Sequence, residues 1–186
     1  MVIYLAVLGA LAVLRLWELA RSRRNWSRHS NYATMPRESL FPWMVVLHTS
    51  FFVILPLELW WRNPSFGGPI AYLALAFFGL ALGLRVWTLR TIGASWNVRV
   101  VGGQGYPIVS DGPYRYIRHP NYVVVALELL FFPLIFHLYF SACLLTLGNL
   151  IVLSVRIRNE EEVLRQNPDW VEKMAAKPRF IPLSFK

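Results

Sequence analysis

The sequence predicts an all-α integral membrane protein with five transmembrane helices, the last two forming a helical hairpin. Three observations carry that reading. Of 186 residues, 56% are apolar and only 16% charged, with a mean hydropathy of +0.43; a soluble chain of this length would have to hide nearly every side chain. The apolar residues fall into blocks near the roughly 20 residues that cross a 30 Å hydrocarbon core. Arg and Lys gather at the ends of those blocks, where anionic headgroups and the positive-inside bias place them.

The first block runs from Met1 to about Ala20. It lacks a basic leader and a small-residue cleavage pattern and carries Arg15 and Glu18 near its end, so it reads as a retained first helix and not a signal peptide. The second and third blocks cover about 41–61 and 70–90. The fourth, Tyr122 to about Ile157, is too long for one span. With His137, Tyr139, Phe140 and Ser141 near its middle, it reads as two helices joined by a tight turn. Between Ile92 and Asp111 the chain is polar and Gly-rich, with a short β-like stretch at Val98 to Val101; a loop of this length commonly folds over a ligand or is disordered. From Asn159 the tail continues the fifth helix and ends at Pro178 and Pro182, which punctuate it.

The basic residues give an orientation. Arg21, Arg23, Arg24, Arg28 and Arg37 fall in the first loop, Arg62 alone in the second, and Arg90, Arg99, Arg115 and Arg118 in the third; the tail holds Arg156, Arg158, Arg165, Lys173, Lys177 and Arg179. The first and third loops and the tail are expected in the cytoplasm, with the N-terminus and the turn near Leu138 outside. Because these cations flank apolar runs, the net charge of +9 speaks for a membrane surface and against nucleic acid. The single Cys143 lies in an apolar run and supports neither a disulfide framework nor a Cys-based metal site. No metal-ligand spacing, phosphate-binding Gly loop or Ser/His/Asp order is present among the four scattered His residues, so metal chemistry and triad hydrolysis are disfavoured.

Two polar clusters remain. Gly112-Pro113-Tyr114-Arg115-Tyr116-Ile117-Arg118-His119-Pro120-Asn121-Tyr122 sets a turn, cations, an imidazole and aromatic hydroxyls at the start of an apolar helix, with Pro120 near N1. An interfacial anchor explains Tyr116, Arg115 and Arg118 but not His119 and Asn121, which sit where a helix start favours a carboxylate. Arg156 and Glu160, four apart at the end of the last apolar run, can face each other across one turn, and a charge at headgroup depth usually faces a partner or a cavity. Glu128, seven residues after Asn121, fits a site wall or helix-to-helix polar packing equally. His48 is the best of the remaining intramembrane polar groups as a substrate-side contact.

Taken in order, Gly-Pro-Tyr-x-Tyr-x-Arg-His-Pro-x-Tyr, a helical hairpin, Arg-x-x-x-Glu-Glu-x-x-Leu and a Pro-bounded tail resemble the isoprenylcysteine carboxyl methyltransferase family of integral membrane methyltransferases, over about Ile92 to Pro182. The resemblance implies a cytosolic pocket for S-adenosyl-L-methionine, with a lateral opening for a lipophilic acceptor. It assigns Tyr106, Pro107, Ile108, Val109, Tyr114, His119, Pro120, Asn121, Tyr122 and Glu160 to the cofactor, and Arg156, with Glu160, to catalysis. Arg156, His48 and Glu128 are the expected acceptor contacts. On this division residues 1–91 form the acceptor side and 92–186 the cofactor-binding core. One departure is Asn167-Pro168-Asp169-Trp170, which stands where such enzymes carry Phe-Gly-x-x-Tyr-x-x-Tyr. The N-terminal half, with Arg15-Leu16-x-Glu18-Leu19 and Met44-Val45-Val46-Leu47-His48, is similar instead to the bacterial branch encoded beside polyketide synthases, which methylates alkylpyrones or alkylresorcinols.

The implied chemistry is in-line methyl transfer to an acceptor oxygen. A carboxylate or an acidic pyrone enol is already an anion at neutral pH, whereas a resorcinol phenol, by analogy with Tyr near 10, needs a base. His48, His119 and Glu128 are all available for that proton, and the spacing does not choose among them. The alternatives are phospholipid methylation, an NADPH-dependent reductase of the sterol reductase type, which carries a similar Arg-His-Pro-Asn-Tyr run on a longer chain, and a non-catalytic membrane scaffold.

Overall fold

The computed structural model describes residues 2–31, 33–36, 38 and 40–182; Arg37 of the basic first loop lies outside them. Among the described residues six α-helices are formed: α1 (Val2–His29), α2 (Phe41–Arg62), α3 (Gly68–Ile92), α4 (Pro120–Leu134), α5 (Tyr139–Leu164) and α6 (Pro168–Met174). There is no named strand among the described residues. The expected β-like stretch at 98–101 is irregular chain, and backbone pairing is limited to an isolated bridge between Thr34 and Gly102.

Four helices, α1, α2, α3 and α5, are long and apolar enough to cross a membrane. The fifth expected span, α4, has 15 residues and rises about 22 Å at 1.5 Å per residue, short of a 30 Å core. Pro120 at its first position and Pro133 near its end bound it, as a ring without an N–H must. The helical hairpin itself is present. The chain reverses between α4 and α5 through His137, at φ +55°, whose Nε2 donates to the Gly67 carbonyl at 2.9 Å while its own carbonyl accepts from Arg62 at 2.9 Å. That turn is thereby fixed to the connection between α2 and α3.

The first helix runs well past the expected end near Ala20. Arg is a good helix former and no Gly or Pro interrupts residues 21–29, so the basic run belongs to the helix and not to a loop. The extension has a purpose in packing. Arg21 donates to the Gly93 carbonyl at 2.9 Å, Asn25 to that of Trp96 at 2.7 Å, and Ser22 accepts from the Val98 N–H at 2.9 Å. The C-terminal carbonyls of α3 and the loop behind it are thus satisfied by the polar end of α1.

Tyr4, Leu8, Leu11, Phe51, Leu55, Phe78, Leu129, Phe132 and Leu145 form the main apolar core between α1 and α5. Inside it lies a buried ion cluster. Arg85 of α3 grips Glu128 of α4 in bidentate fashion, Nε to Oε1 and Nη2 to Oε2, both at 2.6 Å. Its Nη1 bonds to Glu18. Arg15 closes the ring, 2.5 Å from Glu128 and 3.1 Å from Glu18. Two cations and two anions cancel, which is what lets charges persist at that depth.

Candidate active site

The loop from Gly93 to His119 and the tail after α5 build one end of a cavity of about 590 Å³. Gly112 makes the sharp turn before α4 possible: its φ is +54°, and a Cβ there would collide with the Thr91 side chain. The chain then makes a 3₁₀ turn at Gly112–Arg115 and enters α4 at Pro120. The tail lies beneath this entrance. The Arg118 and His119 N–H groups donate to the Pro178 and Arg179 carbonyls at 2.9 and 3.1 Å, and Lys177 Nζ donates to the Tyr114 carbonyl at 2.7 Å.

Asn167-Pro168-Asp169-Trp170, the departure noted in the sequence, starts α6. Asn167 Oδ1 accepts from the Asp169 N–H at 3.0 Å as N-cap, and Nδ2 donates to the Gly103 and Tyr106 carbonyls at 3.1 and 2.8 Å. The helix so begun packs Trp170 and Met174 on Tyr114. Burial, and then the charge of Glu160, push the Tyr114 phenol above its ordinary value, so it stays neutral.

Of the sequence-assigned residues, Tyr106, Pro107, Ile108, Val109, Tyr114, His119, Asn121, Tyr122, Arg156 and Glu160 line this cavity, and His48 lines it too, beside the apolar Ala12, Leu16, Val45 and Phe52. Pro120 is buried behind the wall as the first residue of α4. Glu128 is not among the lining residues; it is engaged in the ion cluster, so of its two readings the structure shows helix-to-helix packing.

Arg156 and Glu160 meet through a third group. The Tyr122 hydroxyl donates to Glu160 and accepts from Arg156 Nε at 2.9 Å. The rest of the guanidinium is used as well: Nη2 bonds the Val98 carbonyl at 2.5 Å, and Nη1 touches Met44 sulfur and lies 3.6 Å from Glu38. Glu161, rotated to the other face, is buried and receives His119 Nε2 at 3.0 Å, Arg179 Nη2 at 2.8 Å and Arg118 at 3.2 Å. The second carboxylate of the pair thus fastens the tail while the first looks into the cavity.

Sequence reasoning missed Glu38, Trp96, Asn167 and the structural role of Glu161. Asn167 had a readable signal, an N-cap residue directly before Pro; Glu38 and Trp96 had none, because only the folding of two loops brings them here. The cavity wall also holds unmet hydrogen-bonding capacity. Asn121 Oδ1 and Trp96 Nε1 are buried without a partner among the described residues, although a native buried polar atom normally has one. No group of three or more His, Cys, Asp or Glu able to hold a metal occurs among the described residues.

Residues 73–166 match the model of the Isoprenylcysteine carboxyl methyltransferase (ICMT) family. Over 161 residues the chain is 32% identical to the uncharacterized protein YpbQ of Bacillus subtilis (strain 168), a match spanning 86% of this chain and 95% of that protein. The matched segment contains both polar stretches, and the fold joins them at Tyr122 beside one hollow at the end of an apolar bundle. The chain therefore belongs to the ICMT family of integral membrane methyltransferases, enzymes that generally use S-adenosyl-L-methionine.

Proposed function

We propose that the cavity takes S-adenosyl-L-methionine at its polar end and a lipophilic acceptor at its apolar end, and that methyl transfer to an acceptor oxygen occurs where the two meet. The observation that carries this reading is the shared hollow: polar Glu160, Asn121 and Tyr122 and apolar Leu16, Val45 and Phe52 line the same cavity. Its volume is within the range of small-molecule sites. The residues fit such a cofactor. The unpartnered Asn121 Oδ1 is an acceptor waiting for a donor such as an ammonium or a hydroxyl, and Glu160 offers a carboxylate to the same class of group.

The bound cofactor supplies an electrophilic methyl on a sulfonium. The chain's own work is alignment. Tyr122 and Arg156 fix the Glu160 carboxylate; Arg156 also holds the 98 carbonyl, so the loop forms a lid against the helices. The acceptor class is an alkylpyrone or alkylresorcinol polyketide, supported by the likeness of the N-terminal half to that branch, with a polyketide synthase as its supplier and an isoprenylcysteine-type carboxylate as the lesser choice. The basic ends of α1 and α5 support a cavity facing the cytoplasm, with α4 as a short fifth span.

Titration of purified protein with S-adenosylhomocysteine tests the reading. Binding is expected for the parent, and Glu160→Ala is expected to weaken it by at least about tenfold, the loss of a charge-assisted hydrogen bond of about 1.5–3 kcal/mol. Arg156→Ala is expected to lower turnover more than binding. Membranes incubated with methyl-labelled S-adenosylmethionine should yield labelled lipid; binding of NADPH in place of S-adenosylhomocysteine, or no binding of either, would overturn the proposal.

A further inference from the structure

Asn149 stands near the middle of α5, a helix long and apolar enough to cross a membrane. It is 2% exposed, yet it lines the cavity. Its Nδ2 is buried without a partner among the described residues, and no hydrogen bond from a neighbouring helix reaches the carboxamide among those residues either. An amide at membrane depth is ordinarily explained as polar glue, bonded across to the next helix. Here that explanation has no bond to rest on.

The backbone beside it is held closely. Gly148 lets α2 approach, since a Cβ there would stand 3.0 Å from Leu47 Cδ1. Asn149 is therefore fixed where α5 meets α2, and its side chain is left to the hollow. The helical period sets it on one face with Arg156 and Glu160, two and three turns further along, and both of these line the cavity as well. Arg156 reaches back to the Met44 sulfur, one turn of α2 from Leu47, so the guanidinium and the amide occupy adjoining levels of one wall.

The neighbours at this depth are satisfied or apolar. Arg15 is held by Glu18 and Glu128, and Arg156 by Tyr122 and the Val98 carbonyl; Val125, Val152 and Leu153 complete the lining nearby. A carboxamide offers two N–H donors and an acceptor oxygen without a charge. The group that matches it is a neutral carbonyl or hydroxyl.

We infer that Asn149 is a specificity-determining residue: its carboxamide hydrogen-bonds a second, neutral oxygen of the acceptor, distinct from the oxygen that is methylated. The inference rests on the methyl-transfer reading above. A lipid without that oxygen leaves the amide buried and unmet in the complex, and is rejected on that account.

The test uses the full-length protein with S-adenosylmethionine and two pairs of probes, the members of each pair differing by one oxygen. The first pair is a long-chain alkylresorcinol and the alkylphenol with a single hydroxyl; the second is a β-hydroxy fatty acid and the plain fatty acid. In at least one pair the parent is expected to favour the oxygen-bearing member by about tenfold or more in kcat/KM. Asn149→Leu should bring the two members to within about twofold, chiefly by raising KM for the oxygen-bearing one, with S-adenosylhomocysteine affinity retained. Asn149→Ala, which adds no bulk, should level them in the same way. With no acceptor present Asn149→Leu should also raise Tm, because it removes an unmet buried amide. Equal kcat/KM within every methylated pair for the parent, a preference kept by either variant, or a lowered Tm in both variants would overturn the assignment. Binding of S-adenosylhomocysteine with none of the probes methylated would overturn it while leaving the cofactor reading intact. Failure to bind S-adenosylhomocysteine would remove the methyl-transfer reading, and this assignment with it.

Discussion

Removing Glu128 from the buried ion cluster is the sharpest perturbation of the bundle. Glu128→Leu deletes three charged hydrogen bonds, two from Arg85 at 2.6 Å and one from Arg15 at 2.5 Å. It leaves the Arg85 side chain, 2% exposed, to share Glu18 with Arg15. Stranding a buried charge in this way costs about 3–5 kcal/mol, and Arg85→Met, which strands Glu128 against Arg15 alone, should cost a similar amount. The double variant differs in kind, because the remaining Arg15–Glu18 pair is neutral. Its destabilisation should fall short of the sum of the two by about 2–3 kcal/mol. Ordinary hydrogen bonds between membrane helices couple by only about 0.6 kcal/mol on average, so the excess identifies paired charge. The assay is a double-mutant cycle in mixed detergent micelles, following helical circular dichroism through reversible unfolding. Additivity within about 0.5 kcal/mol would refute the claim that these residues act as one neutral unit.

Two further outcomes follow from the loop that builds the polar end of the cavity. Gly112→Ala should lower stability by about 1–3 kcal/mol, seen as a fall in Tm, and adding Thr91→Ala should recover only the steric part, since the φ of +54° would persist. Because burial raises the Tyr114 phenol in the folded protein, its contribution is fully present below the unfolded value near 10 and is lost as pH climbs beyond it. Tyr114→Phe should accordingly show a shallower alkaline loss of stability than the parent, measured by unfolding between neutral pH and pH values above about 10.

Much of the architecture could be read from apolar runs, because hydropathy reports membrane-length helices directly. The polar interruption around His137 to Ser141 located the hairpin, and Tyr122 and Glu160, 38 residues apart, do line one hollow. What sequence could not supply was partnership across helices. Arg21 to Arg28 read as a basic loop because charge density masks helix continuation, and their use in closing the end of α3 is visible only in three dimensions. The same holds for Glu128. A lone carboxylate in an apolar run has several meanings, and the one realised depends on Arg85 and Arg15 from two other helices. Val98 to Val101 has β-branched residues yet finds no neighbouring strand among the described residues, so propensity there yields to context.

Asn167 bears on which substitutions this chain can accept at that position. One short amide gives two protons to Gly103 and Tyr106 and takes one from Asp169. Aspartate keeps the receiving half but has nothing to give, serine has too few protons, and glutamine is a methylene too long to do both at once. The floor under the cavity and the start of the final helix are accordingly tied to a single side chain, and a change there would have to be matched on both sides together.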